Sequence, residues 1–296
     1  MTRKKLLTIG TFDGVHLGHR ALFTRLEQLC VKYQMRPKVL YFPYPPKTIL
    51  SPRPEMSVLS TPPEKKELLK KLALPAEELN FQMYREYSAE NFFKKVLLQK
   101  YNGGAILAGP DFAFGKNRQG NAEFLKNKCA QLNIPLEIMP FYDGEDGSKI
   151  SSSLIRKTLA QGDIPTANLM LGRPYSLEGR VVAGQKLGRK IGFPTANLDI
   201  NFYKLLPLGV FAVKVRLGRK FYRGICNIGF RPTINTIQSV IPLVEVHILD
   251  FKGSIYGRRM EVFFCDKIRS ESKFDSLDAL KKQLAQDKKT ASALID

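Results

Sequence analysis

Two textures of apolar and polar residues divide this chain. Through the first 140 residues, short apolar runs alternate with longer helical periods. "KLLTIG" (5–10), "PKVLYF" (37–42) and "GAILAG" (104–109) are short apolar runs of the kind that form buried strands, and "ELNFQM" (78–83) and "LEIMP" (136–140) are weaker strand candidates. Between them, "HLGHRALFTRLEQLCVKYQ" (16–34) places Leu22, Leu26 and Leu29 on one helical stripe. "PPEKKELLKKLAL" (62–74) opens on prolines and keeps its charges on an outer face, and "SAENFFKKVLLQKY" (88–101) starts at Ser88 as cap. A further helix is expected near 119–132, and a loop carries Pro43, Pro45, Pro46, Pro52 and Pro54. Strand–helix alternation of this kind predicts a parallel sheet covered by helices. Residues 151–171 predict two short helices parted by Gly162-Asp163, with Leu169 and Leu171 running into the packed part of the second.

After Gly172 the helical period disappears. "GRVVAG", "GVFAVKVRL", "FYRGICNIG", "LVEVHILDF" and "MEVFFC" are short alternating strands punctuated by Gly and Pro, which predicts an antiparallel barrel or sandwich. A charged helical segment, "SLDALKKQLAQDKKTASALI", follows. The expected fold class is therefore α/β plus β: an α/β domain over 1–172, then an antiparallel β domain with a C-terminal helix over 173–296, with the boundary near Leu171–Tyr175.

Composition narrows the setting. There is no run of 18 apolar residues, and the basic N-terminal stretch has too little apolar sequence for a signal peptide, so no membrane association is expected. Cys30, Cys129, Cys226 and Cys265 are far apart, with no CxxC and no adjacent His, which argues against zinc and disulfides and fits a reducing cytoplasm. The formal net charge is +20. Up to Arg180 there are 27 Lys/Arg against 17 Asp/Glu, and beyond it 20 against 10, so the excess is shared by both halves. Such a field suits nucleic acid, phosphorylated small molecules, or simply a solvated surface. The absence of a clustered basic–aromatic stripe weighs against nucleic acid, and oligomerisation stays open.

Two stretches carry chemistry. "GTFDGVHLGH" (10–19) holds two of the three histidines, His16 and His19, three residues apart behind a strand and before a helix. Gly10, Gly14 and Gly18 allow close backbone approach, and a helix N-terminus attracts an anion. The imidazoles are open to three uses: capping a turn, ligating a metal, or donating to phosphate oxygens. His247 is too remote in sequence to complete an obvious metal set. In "GQKLGRKIGFPTANL" (184–198), Gly184, Gly188 and Gly192 recur every four residues and Thr195 and Asn197 present two oxygens on one side of an extended segment. That is a candidate phosphate loop with hard ligands for magnesium. An earlier "PTAN" at 165–168 reads as structural, with Asp163 as helix cap. "GPDFAFGKN" superficially resembles a P-loop but has the wrong spacing, and Asn117 stands where Ser or Thr is needed.

"GTFDGVHLGH" resembles the signature of the HxGH nucleotidyltransferases, and is most similar to the FAD synthetase module of the bifunctional bacterial riboflavin kinase/FAD synthetases. "ILAGPDFAFGKNRQGN" (106–121) and "ISSSLIRKTLAQGDI" (150–164) are similar to further motifs of that module, and 184–198 resembles the kinase motif GxxxGRxxGFPTAN. "GVFAVKV", "CNIGFRPT" and "VEVHILDF" follow in the family's order. The resemblance implies a Rossmann-like adenylyltransferase domain and a kinase barrel. It assigns ATP binding in the first to Gly10, Phe12, Asp13, Gly14, Gly18, Asp111, Ser151, Ser152 and Arg156, with His16 and His19 stabilising the transition state. In the kinase it implies ATP binding at Gly184, Gly188, Gly192, Thr195 and Asn197, with the last two holding Mg2+. Glu245, the acid among Leu243, Val244 and Val246, becomes general base, and Arg269 a flavin-side residue; His247 shares the face of Glu245. Riboflavin, FMN and FAD would be the substrates and products, and ATP the co-substrate at both sites. Two departures stand out: Tyr44 replaces the usual His of the FxPHP stretch, and "INTIQSVIP" (234–242) is slightly long. The rivals are an enzyme with one decayed module, another nucleotidyltransferase, and a nucleic-acid binder.

Overall fold

The computed structural model describes residues 3–50, 57–144, 147, 149–184, 187–230 and 242–295. Within it the chain forms two compact units, Met1–Ser152 and Ser153–Asp296.

In the first unit, β1 (Lys5–Gly10), α1 (Leu17–Lys32), β2 (Arg36–Tyr41), α2 (Pro46–Leu50), α3 (Pro62–Lys71) and β3 (Ala76–Glu78) come in order. They are followed by α4 (Phe81–Tyr84), α5 (Ala89–Asn91) continuing as a π-helix over Phe92–Lys100, β4 (Gly103–Ala108), α6 (Ala122–Gln131) and β5 (Leu136–Ile138). All strand pairs are parallel, in the order β3-β2-β1-β4-β5. Alternate side chains feed two cores. Leu7, Leu40 and Ile106 pack with the π-helix residues Phe92, Phe93, Val96 and Leu97. Leu6, Val39 and Leu107 pack with Leu22, Leu26 and Leu29 of α1. Both faces are covered, so the sheet is doubly wound, and the strand order reverses between β1 and β4. Open sheets of this type bind ligands at that switch point, outside the carboxyl ends of the strands.

The stretch 78–83 departs from its expected strand. The strand ends at Glu78, and Asn80 Oδ1 accepts from Gln82 N at 3.0 Å to start α4. The apolar residues at 79, 81 and 83 mimic a period of two, but Leu79 is buried and Met83 is 62% exposed. A side-chain cap outweighed the alternation there. The Pro-rich loop also gains one short helix, α2, while residues 51–56, including Pro52 and Pro54, lie outside the described residues.

The second unit takes in α7 (Ser152–Gln161) from Ser153 onward, α8 (Ile164–Leu171), β6 (Ser176–Val182), α9 (Leu187–Lys190), β7 (Ala196–Ile200) and β8 (Gly209–Leu217). It continues with β9 (Lys220–Gly229), β10 (Leu243–Ile248), β11 (Arg259–Arg269) and α10 (Leu277–Leu294). The two compact units part between Ser152 and Ser153, ahead of the helical pair. Asn168 explains why α8 goes with the strands: its Nδ2 donates to Phe264 O at 3.0 Å and its Oδ1 accepts from Tyr175 N at 2.6 Å. The first "PTAN" is thus a packing element, and Asp163 caps α8 by accepting from Thr166 N at 3.1 Å. Leu171 is buried as expected, but Leu169 is 73% exposed, because residues two apart on a helix face away from each other.

The six strands close in the order β10-β7-β6-β11-β8-β9, all antiparallel, which leaves no open edge. Phe211, Val213 and Val215 of β8 alternate into the barrel core with Phe264, whose ring stands 5.2 Å from that of Phe211. The opposite face of the wall is covered in part by α10, where Val210, Ala212 and Ile225 pack on Ala291 and Ile295. The long connection 234–242 lies outside the described residues, save Pro242. Phe264 is fully buried, so Phe264→Ala should destabilise the second unit by about 3–5 kcal/mol, read as a lowered urea midpoint; a change under about 1 kcal/mol would mean that the barrel core does not depend on this ring.

Candidate active sites

The first candidate site begins where β1 ends at Gly10. The next five residues turn sharply: Phe12 has φ +49°, Gly14 φ +81° and Val15 φ +43°. Gly14 suits such a backbone; a β-branched valine does not, and its strain needs support from outside the turn. Asp13 supplies it. Its carboxylate is 3% exposed and accepts from Leu59 N and Ser60 N at 3.0 Å. Ser60 Oγ accepts from Gly14 N at 2.9 Å, and Ser152 Oγ donates to Asp13 O at 2.9 Å. Asp13 is therefore committed to holding the turn through backbone amides. Ser152 draws the start of the "ISS" stretch onto the same turn.

That turn delivers His16 to the N-cap position of α1, where it makes no side-chain capping bond. The imidazoles of His16 and His19 stack with centroids 3.6 Å apart and planes at 22°, and Phe12 meets His19 edge-on at 5.3 Å. His16 is 4% exposed, so the pair is no solvated surface feature. Gly18 lets it seat: a Cβ there would stand 3.2 Å from His16 Nδ1. Among the described residues no group of three His, Cys, Asp or Glu gathers for a metal. What remains is a helix N-terminus with two imidazoles beside it, at the carboxyl end of β1 and thus at the switch point, which suits an anion. Of the other candidates, Ser151 is half-buried just ahead of α7, and Asp111 lies exposed beyond β4, with Oδ1 3.4 Å from where a Gly109 Cβ would stand. Arg156 lies within α7, in the second unit.

The second candidate site is a cavity of about 490 Å³ in the second unit. Its polar wall comes from neighbouring strands in register. Glu245 pairs with Asn197 across β7 and with Asn227 across β9. Glu245 and His247 line the cavity, and Val244 and Val246, which alternate with them along β10, are buried on the other face. The site thus lies on the outer face of the wall, under α10. Thr195 and Gly188 line it as well. Asn197 is 8% exposed and occupies the room left by Gly184, whose Cβ would come within 2.1 Å of the amide nitrogen. Gly192 has φ +86° and open space around it. The ring of His247 places Nδ1 2.8 Å from Pro194 O; as the carbonyl accepts, Nδ1 carries the proton and fixes the "FPTAN" turn to β10.

Arg269 lines the cavity, but most of its donors are engaged. Nε and Nη2 bind the Asp287 carboxylate at 2.9–3.1 Å, and Nη1 donates to Ser270 O and Ser272 Oγ, both at 3.1 Å. Gln283 Nε2 donates to Asp287 Oδ1 at 2.8 Å. Asp287 is 1% exposed. It lies amid the charges of an amphipathic helix, and nothing in sequence marks it as the residue that orients a cavity arginine. Leu280 and Leu284 of α10 join Ile191, Phe193, Val210 and Phe274 as the apolar lining, suited to a flat, largely apolar ring system.

A family model described as FAD synthetase matches residues 1–154, and one described as riboflavin kinase matches 171–295. A bifunctional riboflavin kinase/FMN adenylyltransferase of Haemophilus influenzae is 38% identical over 98% of this chain and 94% of its own. The protein of that name from Escherichia coli K12 is 37% identical over 97% of this chain and 91% of its own. A crystal structure of a macrolide-efflux protein from Streptococcus pneumoniae is 32% identical, with a TM-score of 0.85 over 99% of this chain and 95% of that one. Efflux is a description of that protein; among the described residues here no helix is long and apolar enough to cross a membrane. With one family model on each half and relatives that match over more than nine-tenths of both chains, the chain belongs to the bifunctional riboflavin kinase/FMN adenylyltransferases.

Proposed function

We propose that this chain makes FAD from riboflavin in two phosphoryl-group reactions, one in each unit, using the residues described above. The observation that carries the assignment is that each unit builds its own set of polar groups: stacked histidines at a sheet switch point in one, and Glu245 in register with Asn197 under an apolar lid in the other. Both activities follow from membership of the family.

In the barrel, Glu245 accepts the proton of the ribityl 5'-hydroxyl, whose oxygen attacks the γ-phosphate of ATP to give FMN and ADP. The flavin ring lies in the apolar part of the cavity, bounded by α10 and by Arg269 in the orientation that Asp287 sets. Thr195 Oγ1 and the Asn197 amide oxygen suit Mg2+: both are hard donors, and Gly184 leaves the amide its room. Magnesium bound there would neutralise charge on the ATP phosphates. Thr195 and Asn197 stay in place because His247 ties Pro194 to β10. Gly184, Gly188 and Gly192 bring backbone near the nucleotide.

In the parallel-sheet unit, a phosphate oxygen of FMN attacks the α-phosphate of a second ATP, giving FAD and pyrophosphate. His16 and His19 stabilise the charge that develops on that phosphorus and its leaving group. Ser151 and Ser152 hold the departing phosphates, and Asp111 helps hold the nucleotide. Gly10, Phe12, Gly14 and Gly18 shape the turn around them, with Asp13 bracing it. The enzyme is assigned to the cytoplasm. Its four cysteines are free, and burial pushes the Cys30 and Cys129 thiols up to about 11, which leaves them poor nucleophiles in a reducing compartment. The +20 charge serves anionic substrates and does not imply nucleic acid.

Replacing His16 and His19 together with Ala should reduce FAD formation by 10²-fold or more, on the order of an oxyanion donor's worth, while riboflavin is still converted to FMN. Chromatography of flavins after incubation with riboflavin, ATP and magnesium reads both steps; loss of FMN from a folded variant would reverse the division of labour. Glu245→Gln should do the opposite, stopping riboflavin phosphorylation but leaving added FMN convertible to FAD. Asp287→Asn removes the bidentate partner of Arg269, so the KM for riboflavin should rise several-fold with the KM for ATP little changed; equal changes in both would place Arg269 away from the flavin.

A further inference from the structure

The parallel-sheet unit contains a cation that the proposed chemistry leaves unused. Lys65 lies on α3, and its side chain is fully buried, with 0% exposure. Its Nζ donates to Phe42 O and Pro43 O, both at 2.9 Å. These carbonyls belong to the two residues that follow β2, at the carboxyl end of the sheet. Phe42 N in turn donates to Gly10 O at 3.1 Å. The ammonium is thus two hydrogen bonds away from the head of the turn that carries His16.

The same helix is tied to that turn by a second route. Leu59 and Ser60, which bind the Asp13 carboxylate, run directly into Thr61, the cap of α3. Thr61 O accepts from Lys65 N at 2.8 Å, closing the first turn of the helix. The segment leading into α3 therefore grips Asp13 through the Leu59 and Ser60 amides, and the Lys65 side chain in the first turn of the helix grips the start of the Pro-rich loop. An ammonium is costly to bury unless it is paired, and carbonyl bonds from a charged donor are roughly twice as strong as neutral ones. Burial pushes this ammonium down to about 8, while the Asp13 and Glu78 carboxylates pull it back up.

We propose that Lys65 is a positioning residue for FMN adenylylation: its ammonium holds the Phe42 and Pro43 carbonyls against the Gly10 turn, and so sets where the Pro-rich loop begins beside the histidine pair. The proposal rests on the assignment of adenylyl transfer to the His16–His19 turn. It makes α3 part of the site although no side chain of α3 need touch substrate. Protonated, Lys65 donates two charge-assisted bonds; once neutral, it donates weaker ones, and the loop loosens. The Asp13 and Glu78 carboxylates are the charged groups whose field the ammonium feels.

The full-length enzyme tests this through its two activities. In the unsubstituted chain, kcat/KM for FMN in FAD formation should fall several-fold as pH rises from 7 to 9.5. Lys65→Met should lower that kcat/KM at least ten-fold at pH 7 and remove the alkaline fall, with riboflavin phosphorylation staying within two-fold. A flat profile in the unsubstituted enzyme, or a Lys65→Met chain with unaltered kcat/KM, overturns the proposal. If the substitution costs the first unit its fold, seen as a lost thermal transition, the profile of the unsubstituted enzyme decides alone. The His16 and His19 double variant run alongside separates two failures. An active double variant removes the underlying assignment, whereas an inactive one beside a normal Lys65→Met chain removes only the clamp.

Discussion

The carboxylate of Asp13 is the constraint on which the first site depends. Phe12 and Val15 hold left-handed backbone, which costs about 1–3 kcal/mol apiece when nothing offsets it. Asp13 accepts two backbone N–H groups from a segment 46 and 47 residues away, and Ser60 and Ser152 add hydrogen bonds from either side. The turn is over-determined from outside itself. That is why a strained valine can persist there and deliver His16 to the mouth of α1. The stacked imidazoles, the seat provided by Gly18 and the position of the helix N-terminus all follow from the path that Asp13 enforces.

The second site obeys a different logic. Here the rigid frame is closure: six antiparallel strands with no edge, and a core filled by Phe211, Phe264 and the valines between them. Side chains fill the barrel core, and the cavity lined by Glu245 and His247 lies on the outer face of the wall. Strand alternation puts Glu245 and His247 there, and register brings Asn197 and Asn227 alongside. The helix α10 then turns an open wall into a cavity. Its buried Asp287 holds Arg269 in place, and Leu280 and Leu284 supply part of the apolar lining. A charge pair at 1% exposure for the carboxylate contributes less to stability than to fixing one orientation.

Much of the architecture was legible because it rests on local periodicity. The runs at 5–10, 37–42 and 104–109 are apolar on both faces, and the structure covers both faces. Leu22, Leu26 and Leu29 share one stripe and all three are buried. Where short alternation met a side-chain cap, as at Asn80, the pattern misled, since a cap acts through one hydrogen bond that apolar spacing does not encode. Leu169 misled for a related reason: an apolar residue in a short helix gives no sign of which side the neighbours will cover.

The amino-acid order by itself determined the two textures, the motifs and the residue types that phosphate chemistry needs, because strand and helix periods and glycine turns are properties of neighbours in the chain. Only the tertiary structure decided that Asp13 braces a turn, that Arg269 is held by Asp287, and that the ammonium of Lys65 reaches two carbonyls more than twenty residues away. Those partnerships join elements distant along the chain. Their energies depend on burial and on hydrogen-bond geometry, neither of which exists until the sheet and the barrel have closed.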